Sequence, residues 1–137
     1  MTQTTLPQSV SIRQHEIMTD YLRELDKHLC AVEQGNVEEM YDIKDFAEIL
    51  HIHPRHLSNT IKHATGRSPC DIFEYRLIDV AKKLLTETRL PIAEIATRMT
   101  YDPSNFTKFF KRYVGATPKQ FRETVHQESQ KTEPLTI

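Results

Sequence analysis

The chain has 137 residues, 38% hydrophobic and 27% charged, which is enough for one modest domain or two very small ones that share a core. No uninterrupted apolar run approaches the roughly 20 residues that span a bilayer, and the polar N-terminus is unlike a signal peptide. We therefore expect a cytoplasmic protein with no membrane contact. Cys30 and Cys70 are too few for a disulfide framework or a thiolate metal site, and we interpret both as small packing residues. Three glycines and little alternating hydrophobicity favour an all-α fold.

The net charge of −1 conceals an uneven distribution of charge along the chain. Residues 1–52 carry 4 Lys and Arg against 10 Asp and Glu, a net −6, whereas residues 53–122 carry 13 against 6, a net +7. Residues 123–137 carry 1 against 3, a net −2. The central segment therefore has the charge expected of a surface that faces phosphates. A solvated lysine-rich surface is the alternative, and charge alone does not distinguish the two.

The first 36 residues are predicted to form a tail and one amphipathic helix. Residues 1–11 are polar and show no period, which predicts a flexible tail. Residues 13–33 carry apolar side chains at helical spacing, and Gly35 follows as a C-terminal cap. The apolar residues are Ile17, Met18, Tyr21, Leu22, Leu25, Leu29 and Val32.

The segment that follows is repeated without a gap 49 residues later. The matching residues of the first copy are Ile43, Phe46, Ala47, Leu50, Ile52, Pro54, Leu57, Ile61, Lys62, Gly66 and Pro69. Those of the second copy are Ile92, Ile95, Ala96, Met99, Tyr101, Pro103, Phe106, Phe110, Lys111, Gly115 and Pro118. One supersecondary unit therefore occurs twice.

Each copy is predicted to be a helix-turn-helix unit. In the first, over residues 43–66, Asp42 caps a helix to Leu50, and His53-Pro54 opens a second helix that stops at Gly66. In the second, over residues 91–115, the corresponding signals are Pro91, Asp102-Pro103 and Gly115. We place a connecting helix at 69–86, opened by Ser68-Pro69, and a final helix at 118–124, opened by Thr117-Pro118. Residues 37–124 then form one domain, and residues 125–137 are predicted to be a flexible tail.

The second helix of each unit has one buried face and one outward face. With Leu57 inward, an advance of about 100° per residue points Arg55, Asn59 and Lys62 outward, flanked by Ser58 and His63. The same geometry from Phe106 buries three further aromatic residues, Phe109, Phe110 and Tyr113. It turns Ser104, Lys108 and Lys111 outward, flanked by Thr107 and Arg112. Neither outward face carries a carboxylate beyond the Asp102 cap, and a merely solvated face usually mixes both signs of charge.

These side chains suit DNA recognition. Arg can bind guanine and Asn can bind adenine through paired hydrogen bonds, and Ser or Thr can bond to base edges. Residues near the start of a recognition helix usually reach the bases. We therefore predict base contacts from Arg55, Ser58, Asn59, Ser104, Thr107 and Lys108. Phosphate contacts are predicted further along the two helices, from Lys62, His63, Lys111 and Arg112.

These features make the chain similar to the AraC/XylS family of bacterial transcription regulators over about residues 42–124. The most specific segment is PIAEIATRMTYDPSNFTKFFKRYVGATPKQFR. Its matching positions are Ile95, Ala96, Phe106, Lys108, Phe110, Lys111, Gly115, Pro118, Phe121 and Arg122. Lys108 stands in place of the usual arginine, and Thr100-Tyr101 replaces a Gly-aromatic pair.

The resemblance implies a homeodomain-like fold, with the two units at either end of the connecting helix and their recognition helices in successive major grooves. It also implies double-stranded DNA and RNA polymerase as partners, and a sequence-specific transcriptional regulator as the function. The family's usual effector-binding or dimerisation domain has no room in this chain, so the sequence is similar to a stand-alone member or to a DNA-binding fragment.

Other functions have weaker support. His51, His53 and His56 could suggest a metal site, but they flank a turn and lack carboxylate or thiolate partners, so we interpret them as capping and surface residues. No nucleophile motif, phosphate loop or metalloprotease pair is present, so we expect neither an enzyme nor a cofactor. The main alternative is a protein-interaction module that dimerises through residues 13–33. We favour packing of this helix against the first repeat.

Overall fold

The computed structural model describes residues 10–132, which form seven α-helices and no strand. The helices are α1 (Ile12–Glu33), α2 (Ile43–Leu50), α3 (Pro54–Thr65), α4 (Pro69–Glu87), α5 (Ile92–Arg98), α6 (Pro103–Val114) and α7 (Pro118–Thr132). The predicted all-α fold is therefore confirmed. Of the tails predicted over residues 1–11 and 125–137, residues 1–9 and 133–137 lie outside the described residues, and Val10 is buried rather than part of a tail.

The chain divides into two compact units. Among the described residues, the first contains 10–30 and 41–74, with α2 packed on α3, and the second contains 31–40 and 75–132, with α6 packed on both α5 and α7. The connecting helix α4 begins in the first unit and ends in the second. In the part of the chain that the structure describes, no helix has the length and hydrophobicity needed to cross a bilayer.

Four helices start at a side-chain cap followed by proline, as predicted. The side chains of His53, Ser68, Asp102 and Thr117 accept hydrogen bonds from backbone amides two or three residues ahead, at 2.9–3.1 Å. Because the proline that follows has no N–H to satisfy, this pairing fixes the first residue of the helix. The starts of α3, α4, α6 and α7 are thus set by local sequence.

The two turns have the same backbone structure. His51 and Thr100, which are 49 residues apart, both have positive φ, at 60° and 61°. The next amide in each turn bonds back to the buried alanine of the preceding helix, Ile52 N to Ala47 O at 3.0 Å and Tyr101 N to Ala96 O at 2.9 Å. Left-handed backbone is unfavourable for residues other than glycine, and most of all for β-branched ones.

The packing predicted for α1 is confirmed. Its apolar residues Ile17, Tyr21, Leu25 and Leu29 are buried in the first unit. Tyr21 packs edge-on against Phe46 of α2, with ring centroids 5.3 Å apart, and its hydroxyl donates to the Pro69 carbonyl at 3.4 Å. The helix ends at Glu33, and Gly35 follows with φ 77°, as expected for a C-terminal cap. The apolar stripe that could have formed a dimer contact is therefore largely covered within the chain.

His28 is a buried polar residue in the first unit. Its Nε2 accepts a hydrogen bond from the Tyr41 backbone amide at 3.1 Å, and its ring stacks on the Tyr41 ring with centroids 4.1 Å apart. Burial lowers the pKa of His28, and the nearby Asp45 carboxylate only partly opposes this shift. The neutral imidazole is therefore the form that the fold favours, because a protonated Nε2 cannot accept the amide.

Two arginines close helix ends in the second unit. Arg98 donates through Nη1 at 2.7 Å to the carbonyl of Glu33, the last residue of α1. Arg122 of α7 donates to the carbonyls of Leu85, Thr88 and Leu90 at 3.0, 3.4 and 2.7 Å. These three carbonyls lie in the last turn of α4 or just after it, where backbone N–H donors of the helix are missing. The Arg122 guanidinium supplies N–H donors in their place.

Three sequence-based predictions require correction. The final helix does not stop at 124 but runs to Thr132, so the segment predicted as a tail is partly helical. Cys30 and Cys70 are exposed and form no disulfide, so they are not packing residues. Tyr113, predicted to be buried, is partly exposed, because it lies at the edge of the buried face.

The positive φ of Thr100 predicts a stabilising substitution. Thr100→Gly should raise the free energy of unfolding by about 1 kcal/mol, since glycine adopts left-handed backbone without steric penalty. Thr97→Gly is the matched control: Thr97 lies within α5 and its hydroxyl bonds to the Ala93 carbonyl, so this change should destabilise the fold. Urea unfolding measures both, and a destabilised Thr100→Gly variant would contradict the assignment.

The lowered pKa of His28 predicts a loss of stability in mild acid. The unfolded chain takes up the proton near the ordinary pKa of about 6.5, whereas the folded chain resists it, so the free energy of unfolding should fall as pH decreases below that value. His28→Gln keeps an acceptor for the Tyr41 amide and should flatten the decline between about pH 7.5 and 5.5. His126→Gln, at an exposed position on α7, should leave it unchanged. An equal decline with and without His28 would refute this role.

Candidate nucleic-acid interface

Helix α3 presents one buried and one exposed face. Leu57, Thr60 and Ile61 are buried, which fixes the rotation of the helix against the core of the first unit. The His53 cap and Gly66, which has φ 77°, set its two ends. Because both the ends and the rotation are fixed, the identity of the outward-facing residues follows directly.

The outward face of α3 contains every predicted contact residue of the first copy. Arg55, Asn59, Lys62 and His63 are exposed, and Ser58 is partly exposed. No residue of this helix is acidic. The face therefore combines cations with hydrogen-bonding groups. This composition suits binding to the phosphates and the base edges of a nucleic acid.

Helix α6 follows the same plan in the second unit. Phe106, Phe109 and Phe110 are buried, and Phe110 packs against Phe121 of α7 with ring centroids 5.5 Å apart. Asp102 caps the helix, and Gly115 ends it with φ 86°. The outward residues Ser104, Lys108, Lys111 and Arg112 are exposed, and Thr107 is partly exposed.

The Asp102 carboxylate has two partners at the start of α6. Oδ1 accepts from the Asn105 backbone amide at 2.9 Å, and Oδ2 accepts from the Asn105 side-chain amide at 2.7 Å. The carboxylate is thus engaged within its own helix end. The single acidic group beside the predicted DNA face therefore has a structural role as a cap.

One pair of exposed residues beside the candidate interface was not predicted from the sequence. Asn105 and His56 occupy equivalent positions in the two copies and are exposed beside the predicted base-reading residues. The 49-residue offset was the signal that could have identified them, since exposure of one copy's residue indicates exposure of the other's. His53, by contrast, is a cap, as interpreted from sequence.

Arg112 lies against aromatic rings of its own helix. Its guanidinium carbon is 5.4 Å from the centroid of the Tyr113 ring and 6.0 Å from that of the Phe109 ring. These distances are within the range of cation–π attraction. The guanidinium position is therefore biased by the rings, although the side chain is exposed.

Comparisons with known proteins identify this arrangement. A family model described as a helix-turn-helix domain matches residues 46–124. The arabinose operon regulatory protein of Escherichia coli is 34% identical over 83 residues, which are 60% of this chain and 28% of that protein. The chain spans 28% to 42% of the length of this protein and of several other relatives.

Two solved structures support the same conclusion. The C-terminal domain of AraT, a response regulator from Geobacillus stearothermophilus, is 30% identical, covers 85% of this chain and 88% of that one, and has a TM-score of 0.68. The DNA-binding domain of the transcriptional factor AdpA, solved in complex with a target DNA, is 22% identical, covers 80% of this chain and 96% of that one, and shares the fold with a TM-score of 0.65. The chain belongs to the AraC/XylS family of helix-turn-helix proteins.

Proposed function

We propose that this chain is a sequence-specific transcriptional regulator that binds double-stranded DNA through α3 and α6, placed in successive major grooves. The observation that carries the proposal is the composition of two equivalent helix faces. Each is exposed, carries cations and small hydrogen-bonding groups, and has no carboxylate beyond the engaged Asp102 cap. A helix face that contacts only solvent usually carries charges of both signs, so the absence of acidic residues from both faces favours DNA binding.

The relatives agree with this function. The arabinose regulator is named for its regulatory role, and AdpA presents the same fold to its target DNA. In this chain we assign DNA binding to the two helices that start at His53-Pro54 and Asp102-Pro103. The bound partner is therefore duplex DNA rather than a protein surface.

The outward residues divide into two roles by position. Arg55, Ser58 and Asn59 lie in the first half of α3, and Ser104, Thr107 and Lys108 in the first half of α6, where recognition helices reach base edges. Lys62, His63, Lys111 and Arg112 lie in the last turns, where a cation meets the backbone of the DNA. Base identity is read by the first group, and the second group contributes affinity that falls with salt.

Dimerisation through residues 13–33 has less support, because the chain itself buries most of the apolar stripe of α1. We propose RNA polymerase as a further partner, as the resemblance to transcription regulators implies. No enzymatic step is proposed for this chain.

Arg55 tests base reading. Arg55→Lys keeps the positive charge but loses the planar pair of donors that binds guanine, so preference at one base pair should fall by about 1–3 kcal/mol. Competition binding with duplexes that differ at single positions measures this preference. Unchanged discrimination at every position would remove Arg55 from the base-reading set.

Lys62 and Lys111 test phosphate binding. Neutralising both, as Lys62→Gln with Lys111→Gln, should weaken binding to all sequences and lower the slope of log affinity against log salt by about 2. Lys27→Gln is the control for the loss of one positive charge, because Lys27 is also exposed but lies on α1, where it pairs with Glu24 at 3.1 Å. An equal change of slope in the control would show that total charge, and not the recognition face, determines affinity.

A further inference from the structure

We propose that Tyr113 is a positioning residue that holds the Arg112 guanidinium ready for a DNA phosphate, so that the second unit has a preorganised backbone contact. The inference rests on the proposed function, since it concerns how one of the proposed phosphate-binding residues is held in place. It goes beyond that function by giving a role to a residue that faces neither the bases nor the centre of the core.

The two rings that contact Arg112, Phe109 and Tyr113, belong to a connected group of four rings in the second unit, which we call the shelf: Tyr75, Tyr101, Phe109 and Tyr113. Tyr113 meets Phe109 edge-on at 5.3 Å and Tyr75 edge-on at 5.5 Å, and Phe109 stacks on Tyr101 at 5.1 Å. Phe109 is only 4% exposed, so the core fixes the inner end of the shelf. Tyr113 is thereby held at the surface by rings on either side.

The shelf is not a requirement of the helix-turn-helix fold. In the first copy, the residues 49 positions before Phe109 and Tyr113 are Thr60 and Ala64, and Arg112 corresponds to His63. The first unit also has a side-chain cap followed by proline, the same turn and a helix of the same length, 12 residues, without rings at these positions. The arginine and its aromatic support therefore occur together, and only in the second copy.

The geometry leaves Arg112 able to bind phosphate. A cation–π contact attracts the guanidinium through its positive charge, and the group keeps five N–H donors that can bind phosphate oxygens. A long arginine side chain normally loses conformational freedom when it binds, and a side chain already restrained by rings loses less. Tyr113 therefore increases DNA affinity without touching DNA.

The test is a double-mutant cycle on the full chain, with a mixed-sequence duplex as the probe and binding measured over a range of salt. Tyr113→Leu removes the ring and should weaken binding about threefold, whereas Tyr113→Phe keeps the ring and should bind as the wild type does. Arg112→Ala should weaken binding further and lower the salt slope by about 0.9. In the Arg112→Ala background, Tyr113→Leu should have no additional effect on affinity.

Each other outcome has a defined meaning. An equal loss from Tyr113→Leu with and without Arg112 shows that the ring acts only through the fold, and no loss shows that it does not act at all; both overturn the inference. If Arg112→Ala binds as tightly as the wild type, the inference fails while DNA binding stands. If the wild type binds no duplex, the proposed function fails.

A second measurement needs no substitution at Tyr113, so it holds even if that variant does not fold. The Nε order parameter of Arg112, measured by NMR relaxation in the free wild-type chain, should be well above that of Arg89, an exposed arginine after α4. Equal order parameters for the two side chains would overturn the inference.

Discussion

The start of each recognition helix is fixed by a capping residue whose side chain accepts a hydrogen bond from a backbone amide of the first turn, and this residue is followed by a proline. His53 accepts from the Arg55 amide at 3.0 Å, and Asp102 accepts from the Asn105 amide at 2.9 Å. Since the side chains of a helix advance about 100° per residue, a start displaced by one residue would turn Arg55 or Ser104 away from the outward face. The buried anchors Leu57 and Phe106 fix the rotation, and the caps fix the register. The proposed DNA face depends on both.

The internal repeat explains why most of the fold could be predicted from the sequence. Caps, prolines and closing glycines are local signals, so they gave the bounds of α2, α3 and α6 to the residue. The left-handed turns at His51 and Thr100 could not be predicted in this way, because neither position holds the glycine that usually marks such backbone. In both turns the left-handed residue is followed by an amide that bonds to the carbonyl of a buried alanine.

The remaining errors have two physical causes. The end of α7 is not marked by glycine or proline before 132, so composition indicated a tail where helix continues. The exposure of Tyr113 and of the two cysteines depends on which neighbours cover them, and periodicity carries no such information. The outward placement of the predicted contact residues was predictable, because it needs only one buried reference residue per helix, whereas the aromatic contacts of Arg112 depend on side-chain conformations that helical spacing does not determine.

The two copies have the same backbone arrangement but different outward-facing side chains. The first presents Arg55 and Asn59 from α3, and the second presents Lys108 with an arginine supported by aromatic rings. Two units that differ in this way should read different bases at two places on the DNA. Selection of bound duplexes from a random pool by the full chain, followed by sequencing, tests this most directly. The account predicts two short blocks of preferred bases whose centres lie about 10 base pairs apart, one helical turn. A single block, or no enrichment at all, would contradict it.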